Sequence, residues 1–236
     1  HYPEGPKFAH LTKRSIHEYA RYHKYSLYYD SETPVKMEVS ELHFRRSLLI
    51  EKASKVFAEA KWFVWLDTDV FVNQPNRRLE EFIDLSDDGI LYHLFHERPM
   101  KYLVNTGVKF VHRNALQLES ELYANRHGVP WPFEQKLMID LLPHYEGRII
   151  IHDPEHLNCI HGTHDASDAL LIHLCNRTEL ERNFIALKAL KRFLKPTSYV
   201  SDFAWYGTCL FIRWLTKSNI FIRTWNYMNR KLFKTI

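Results

Sequence analysis

The chain has 236 residues, 45% of them hydrophobic and 25% charged, with a formal net charge of +4. That is enough for one large domain, or one domain with a tail, and for a substantial core; the few glycines and prolines exclude collagen-like, linker-rich and disordered classes. The mild basicity suits an anionic ligand or a membrane surface and is too weak to argue for nucleic acid as a partner.

Cys159, Cys175 and Cys209 have no metal-like spacing, so neither a disulfide framework nor a zinc knuckle is expected and a reducing compartment is favoured. No secretory leader is expected at the start, and no run of about twenty apolar residues suggests a spanning helix. Asn176-Arg177-Thr178 matches the glycosylation sequon, which matters only in a secreted or luminal setting.

In chain order, Phe8, Leu11, Ile16, Tyr19 and Ala20 share one face of a helix over Pro6 to His23. Tyr25 to Tyr29 reads as a short strand and Asp30 to Pro34 as a turn. A second helix is expected from Ser40, as N-cap, to Ala60. Helix, strand, helix, strand is the α/β pattern. Such a fold normally opens with a strand, and none precedes Pro6, so either the sequence begins late or that strand is absent; the pocket for a nucleotide base is the part this puts in doubt.

The apolar run Trp62 to Leu66 reads as a strand buried on both faces of a parallel sheet, ending in Asp67-Thr68-Asp69. Two carboxylates at a strand's carboxyl end lie where open α/β sheets bind ligands, and their mutual repulsion calls for a counter-charge. A hard divalent cation, Mg²⁺ or Mn²⁺, supplies it and keeps positions open for phosphate oxygens. On residues alone, an Asp after a strand also serves as a cap or turn former.

Arg77 to Ile83 is expected as a helical turn, Gly89 to Phe95 as a strand, and Asn105-Thr106-Gly107 as a lead into a strand over Val108 to His112. Asn114 would cap a helix over Ala115 to Asn125, and Pro132 would start one over Phe133 to Leu142. Arg148 to His152 reads as a strand, Asp153 to Asp168 as a long polar loop, Ala169 to Leu174 as an apolar segment, and Glu179 to Leu194 as a basic amphipathic helix. Tyr199 to Ile236 interleaves aromatic and basic residues. This divides the chain into an α/β domain over 1–195 and a helical extension over 196–236. The extension is expected either to pack on the domain or a second subunit, or to contact an anionic membrane peripherally.

WLDTD, NTG before a strand and Arg-Asn, the pair Glu134-Gln135, and a late His173 closing an apolar segment resemble the GT-A glycosyltransferases. The nearest likeness is to glycosyltransferase family 34, the galactosyl- and xylosyltransferases, and it runs from Lys13 to Arg177. It implies a GT-A-like, Rossmann-like α/β fold with a mixed central sheet, and transfer of a hexose or pentose from a nucleotide-diphosphate sugar, with UDP the expected carrier, to a hydroxyl of a glycan or glycolipid. Retention of anomeric configuration comes with the family. By that resemblance Asp67 would contact ribose or metal, and Asp69 and His173 would ligate Mn²⁺ (or Mg²⁺) bridging the diphosphate. Thr68 lies within the same nucleotide-binding motif. Arg177, close after His173, could add a contact to the phosphates. Asn105, Glu134 and Gln135 would line the sugar and acceptor side as the catalytic candidates, Gln135 on the far face of the anomeric carbon and Glu134 on sugar hydroxyls or the acceptor.

Each residue also has a plainer reading: Asn105 closing a turn, Glu134 an acid favoured at a helix start, His173 a core histidine. The family has a Gly shortly after the His, where this chain has Cys175 and Asn176, so His161 or His164 in HGTHD stands as an alternative ligand. Two other readings of the acid pair are a haloacid-dehalogenase-like phosphatase, with Asp67 as nucleophile and Asp69 as acid/base, and a non-catalytic nucleotide-sugar-binding protein of the same fold. Phe71 fits the phosphatase motif poorly. A cytoplasmic or membrane-peripheral location is favoured from the residues, with the Golgi lumen as the family's alternative.

Overall fold

The computed structural model describes residues 7–30, 38–97, 103–175 and 177–190, and the statements below concern these. The extension expected over 196–236, with its membrane and self-association readings, lies outside them.

Helix α1 spans Lys7–His23. It buries Phe8, Thr12, Ser15, Tyr19 and Ala20, positions three and four apart that form one face. Thr12 Oγ1 donates to the Thr68 carbonyl at 2.6 Å, which fastens the first turns of α1 to the acid pair's loop. Helix α2 runs Val39–Val56. Ser40 is not its cap: Glu38 holds that position without a side-chain cap bond, and the helix stops before Ala60 because Phe57 leaves helical geometry at φ −111°, ψ 71°.

No strand forms over Tyr25–Tyr29. The segment is held by side chains instead: Tyr25 OH donates to Glu80 and Tyr28 packs on the core. Strand β1 is Trp62–Leu66, as expected, but its setting is different. It pairs antiparallel with β4 (Val104–His112) and lies at the edge of a mixed four-stranded sheet, β1-β4-β3-β5, where β3 is Tyr92–His96 and β5 is Ile149–His152. Only Phe63 of β1 is fully buried, so the expectation of a strand covered on both faces of a parallel sheet is corrected; the sheet's parallel junction is β3 with β5. The register pairs Trp62 with His112 and Leu66 with Val108, and the Asp67 amide donates to the Gly107 carbonyl at 2.8 Å. The hydrogen-bonded positions are therefore the odd-numbered ones, and the N–H and C=O of Trp62, Val64 and Leu66 face the opposite edge.

Asn105-Thr106-Gly107 is not a lead into β4 but part of it, with Asn105 opposite Phe95. Asn114 does not cap the next helix; it sits in a 3₁₀ turn, Arg113–Ala115, and α3 follows at Leu116–Ala124. Helix α4 is Glu134–Leu141 and α5 is Glu179–Leu190. A second, three-stranded sheet, β2-β7-β6, joins Val70–Val72 to Leu171–His173 and to Cys159–Ile160; the last of these lies inside the expected loop.

Side chains alternate along β4, so Val111 enters one apolar cluster and Phe110 another. Helices α2, α3 and α4 supply the first cluster through Ile50, Leu118 and Met138. Helix α1 and the second sheet supply the other through Tyr19, Val70 and Leu171. The main sheet is covered on both faces, and the acid pair is left where β1 runs out toward β2.

Candidate active site

Asp67 and Asp69 bracket the step from one sheet to the other. Because β2 and β7 pair with Val70 opposite His173, the imidazole is brought to Asp69, with His173 Nε2 lying 3.2 Å from Asp69 Oδ1. Donor atoms of Asp67, Asp69 and His173 all lie within 4.8 Å of one another. Two carboxylates and an imidazole at that spacing fit a transition-metal ion such as Mn²⁺.

The support around His173 fits as well. Its Nδ1 is 3.0 Å from Asn158 Oδ1, and Asn158 Nδ2 donates to Asn105 Oδ1 at 3.1 Å. Asn105 Oδ1 also accepts the Gly107 amide at 2.9 Å. This chain fixes the Asn158 amide, so its oxygen takes a proton from Nδ1 and Nε2 is the nitrogen turned to Asp69. Burial opposes charge on both partners. The Asp69 carboxylate nevertheless holds His173 protonated well above the ordinary range, and His173 and Arg182 hold Asp69 below its own. Arg182 Nη2 lies 3.3 Å from Asp69 Oδ2. The acids also have counter-charge within the chain: Asp67 Oδ1 accepts from Trp65 Nε1 at 2.7 Å and lies 3.5 Å from Arg46 Nη2.

Beneath the acids lies a buried network that sequence reading did not reveal. Lys109 is fully buried, and its Nζ donates to Glu119 at 2.8 and 2.9 Å and to Glu134 at 2.8 Å. Arg46 Nη1 donates to the Thr106 carbonyl and hydroxyl, both at 2.7 Å, and lies 3.5 Å from Glu134 Oε2. Burial works against Glu134's charge, yet Lys109 and Arg46 keep its carboxyl below the usual range. Glu134, expected on sugar hydroxyls or the acceptor, is 1% exposed, with one carboxylate oxygen accepting from Lys109 in the buried network beneath the acids.

Gln135, next on α4, is 9% exposed and donates through Nε2 to Glu97 at 2.6 Å. Asn105 closes no turn; it serves the amide chain behind His173. Thr68 is exposed at the loop tip. Arg177 donates to the His161 carbonyl at 3.2 and 2.6 Å; the guanidinium that reaches Asp69 is Arg182's. His164 Nδ1 accepts the Ile160 amide, and among the described residues the acids gather His173 rather than His161 or His164. A cavity of about 620 Å³ opens beside Asp67–Asp69 and runs between Tyr25–Asp30, α2 and the unpaired edge of β1.

The model of the galactosyl transferase GMA12/MNN10 family matches residues 5–129. The chain belongs to this family. A crystal structure of a glycosyltransferase involved in the glycosylation of the major capsid of PBCV-1 is similar at 42% identity, with a TM-score of 0.75, over 79% of this chain and 95% of that one. No curated protein matches. This glycosyltransferase has the GT-A-like mixed α/β fold that the resemblance implied, and the phosphatase and non-catalytic readings of the acid pair fall with that assignment. Among the residues that sequence reading missed, Lys109 left a signal: a lysine in the apolar run Val-Lys-Phe-Val implies a buried carboxylate partner. Arg46 left a fainter one, on the apolar face of α2, while Arg182 and Asn158 left none.

Proposed function

We propose that this glycosyltransferase moves a hexose or pentose from a UDP-sugar to a hydroxyl of a glycan or glycolipid, with retention, and that it depends on Mn²⁺ or Mg²⁺. The observation that carries the reading is the Asp67, Asp69 and His173 cluster, whose donor atoms lie within 4.8 Å of one another, beside a cavity that Asp67 and Asp69 line. A bound cation would supply charge stabilisation to the departing diphosphate. The chain's own groups do the rest. Asp67, Asp69 and His173 would hold the ion, and Asn158 and Asn105 fix the His173 ring. Arg182, 3.3 Å from Asp69, would contact phosphate oxygens, a role expected of Arg177 from the sequence. The sugar–oxygen bond breaks with its electron pair going to the diphosphate, and the acceptor hydroxyl forms the new bond and gives up its proton to an oxygen of the departing diphosphate.

The cavity's aromatic lining at Tyr28, Tyr29 and Trp65 suits a nucleoside. Retention rests on the family alone. The neighbour's involvement in capsid glycosylation favours an acceptor glycan that is itself carried on protein. A panel of nucleotide-sugars with Mn²⁺ tests the reading: sugar release from a UDP donor is expected to vanish with chelator and to fall about 100-fold or more in Asp69→Asn. Turnover that survives chelation would overturn the metal dependence, and release from another nucleotide-sugar but not from UDP would overturn the donor.

A further inference from the structure

Strand pairing does not stop at the end of β1, because the Asp67 amide still donates to the Gly107 carbonyl at 2.8 Å. Side chains alternate along an extended chain, so Phe63, Trp65 and Asp67 share one face. That face is turned to α2: Phe63 and Trp65 pack in the apolar cluster that Ile50 enters, whereas Val64 and Leu66 pack in the other. The Arg46 guanidinium carbon lies 5.9 Å from the centre of the Trp65 ring, and both residues line the cavity beside the acids.

The two groups that reach Asp67 reach the same oxygen. Trp65 Nε1 donates to Oδ1 at 2.7 Å, and Arg46 Nη2 lies 3.5 Å from Oδ1. Among the described residues no side chain or amide donates to Oδ2. Asp69 differs, with His173 beside one oxygen and Arg182 beside the other. A partly buried carboxylate that turns freely about its last bond offers either oxygen to an ion. Once Oδ1 is bonded to the N–H of a packed ring, the rotation is stopped and Oδ2 is the oxygen left open. Resting on the reading that Asp67 is a metal ligand, we propose that Trp65 is a positioning residue, whose indole N–H holds Asp67 by Oδ1 and leaves Oδ2 to ligate the ion. Such outer partners set the orientation of the groups that touch a metal.

Trp65→Phe keeps an aromatic ring in the cluster and removes the N–H. Calorimetric titration with Mn²⁺ alone is expected to show an affinity lower than native by about tenfold or more. Native affinity in this variant, or a fall in melting temperature with affinity kept, would overturn the role. Nitrogen-resolved NMR of the native protein supplies a test that does not depend on how well Trp65→Phe folds. One indole N–H signal is expected downfield in the ion-free protein and back at the ordinary tryptophan position in Asp67→Ala, which assigns it to Trp65. It is expected to stay downfield when the diamagnetic ion Mg²⁺ binds. No indole signal responding to Asp67→Ala, or a return upfield as Mg²⁺ binds, would overturn the arrangement. Native protein that binds neither ion, with the indole contact still visible, would remove the metal reading and the positioning role with it.

Discussion

A methyl group on Gly107 would sit 2.2 Å from His173 Cε1 and 2.9 Å from its Nδ1, so the glycine of NTG is there to admit the imidazole. Gly107→Ala is expected to cost about 1–3 kcal/mol, the usual penalty for forcing a packed interior, and to weaken Mn²⁺ binding because the ring must leave Asp69. Urea unfolding and calorimetric titration measure the two effects; native affinity in this variant would show that His173 does not need its present position. The acids, His173 and Asn105 were legible because each stands at a break in an apolar segment, where polarity has no structural excuse. Their geometry was not legible. Asn105 was read as lying on the substrate side and is two hydrogen bonds behind the imidazole, because its role depends on Asn158, a residue far along the chain with no pattern around it.

At the scale of elements, Lys109 ties β4 to α3 through Glu119 and to α4 through Glu134. Lys109→Met would leave two buried carboxylates with too little counter-charge, and a loss of roughly 3–5 kcal/mol is expected in denaturant unfolding. Adding Glu119→Gln and Glu134→Gln should restore a good part of it; a triple variant no better than the single one would contradict a charge-based explanation. The parallel junction of β3 and β5 carries a different dependence. There His93 Nδ1 meets His152 Nε2 at 2.8 Å, and Trp62 and Phe110 pack on the His93 ring. Burial, then the facing His152, lowers His93 from 6.5 to about 4, while Asp84 pulls weakly the other way. Between those values the unfolded chain takes up a proton that the folded one refuses, so stability falls as pH is lowered through this window, by roughly 3 kcal/mol when expressed in full. Urea unfolding at pH 7 and pH 4.5 should show a smaller acid loss in His93→Phe than in the native protein; equal losses would clear His93 of responsibility.

For the molecule as a whole, the α/β class and most helices followed from periodicity, because amphipathic spacing is a local property. Sheet order did not, since nothing within Trp62–Leu66 states which strand lies beside it or whether the neighbour runs the same way. The apolar run looked like an interior strand and proved to be an edge, because the cover that its composition anticipates is a cavity in this structure. Tyr25–Tyr29, across that cavity, has the composition of a strand and pairs with no strand among the described residues.

The odd-numbered amides of β1, at Phe63 and Trp65, are closed off by β4, whereas those of Trp62, Val64 and Leu66 open on the cavity. Placed in deuterated water, the strand should therefore trade its hydrogens in alternation, every second position surrendering its proton orders of magnitude sooner than its neighbours. Mass or NMR profiles showing uniform resistance along the five residues would mean that something already lies against that side.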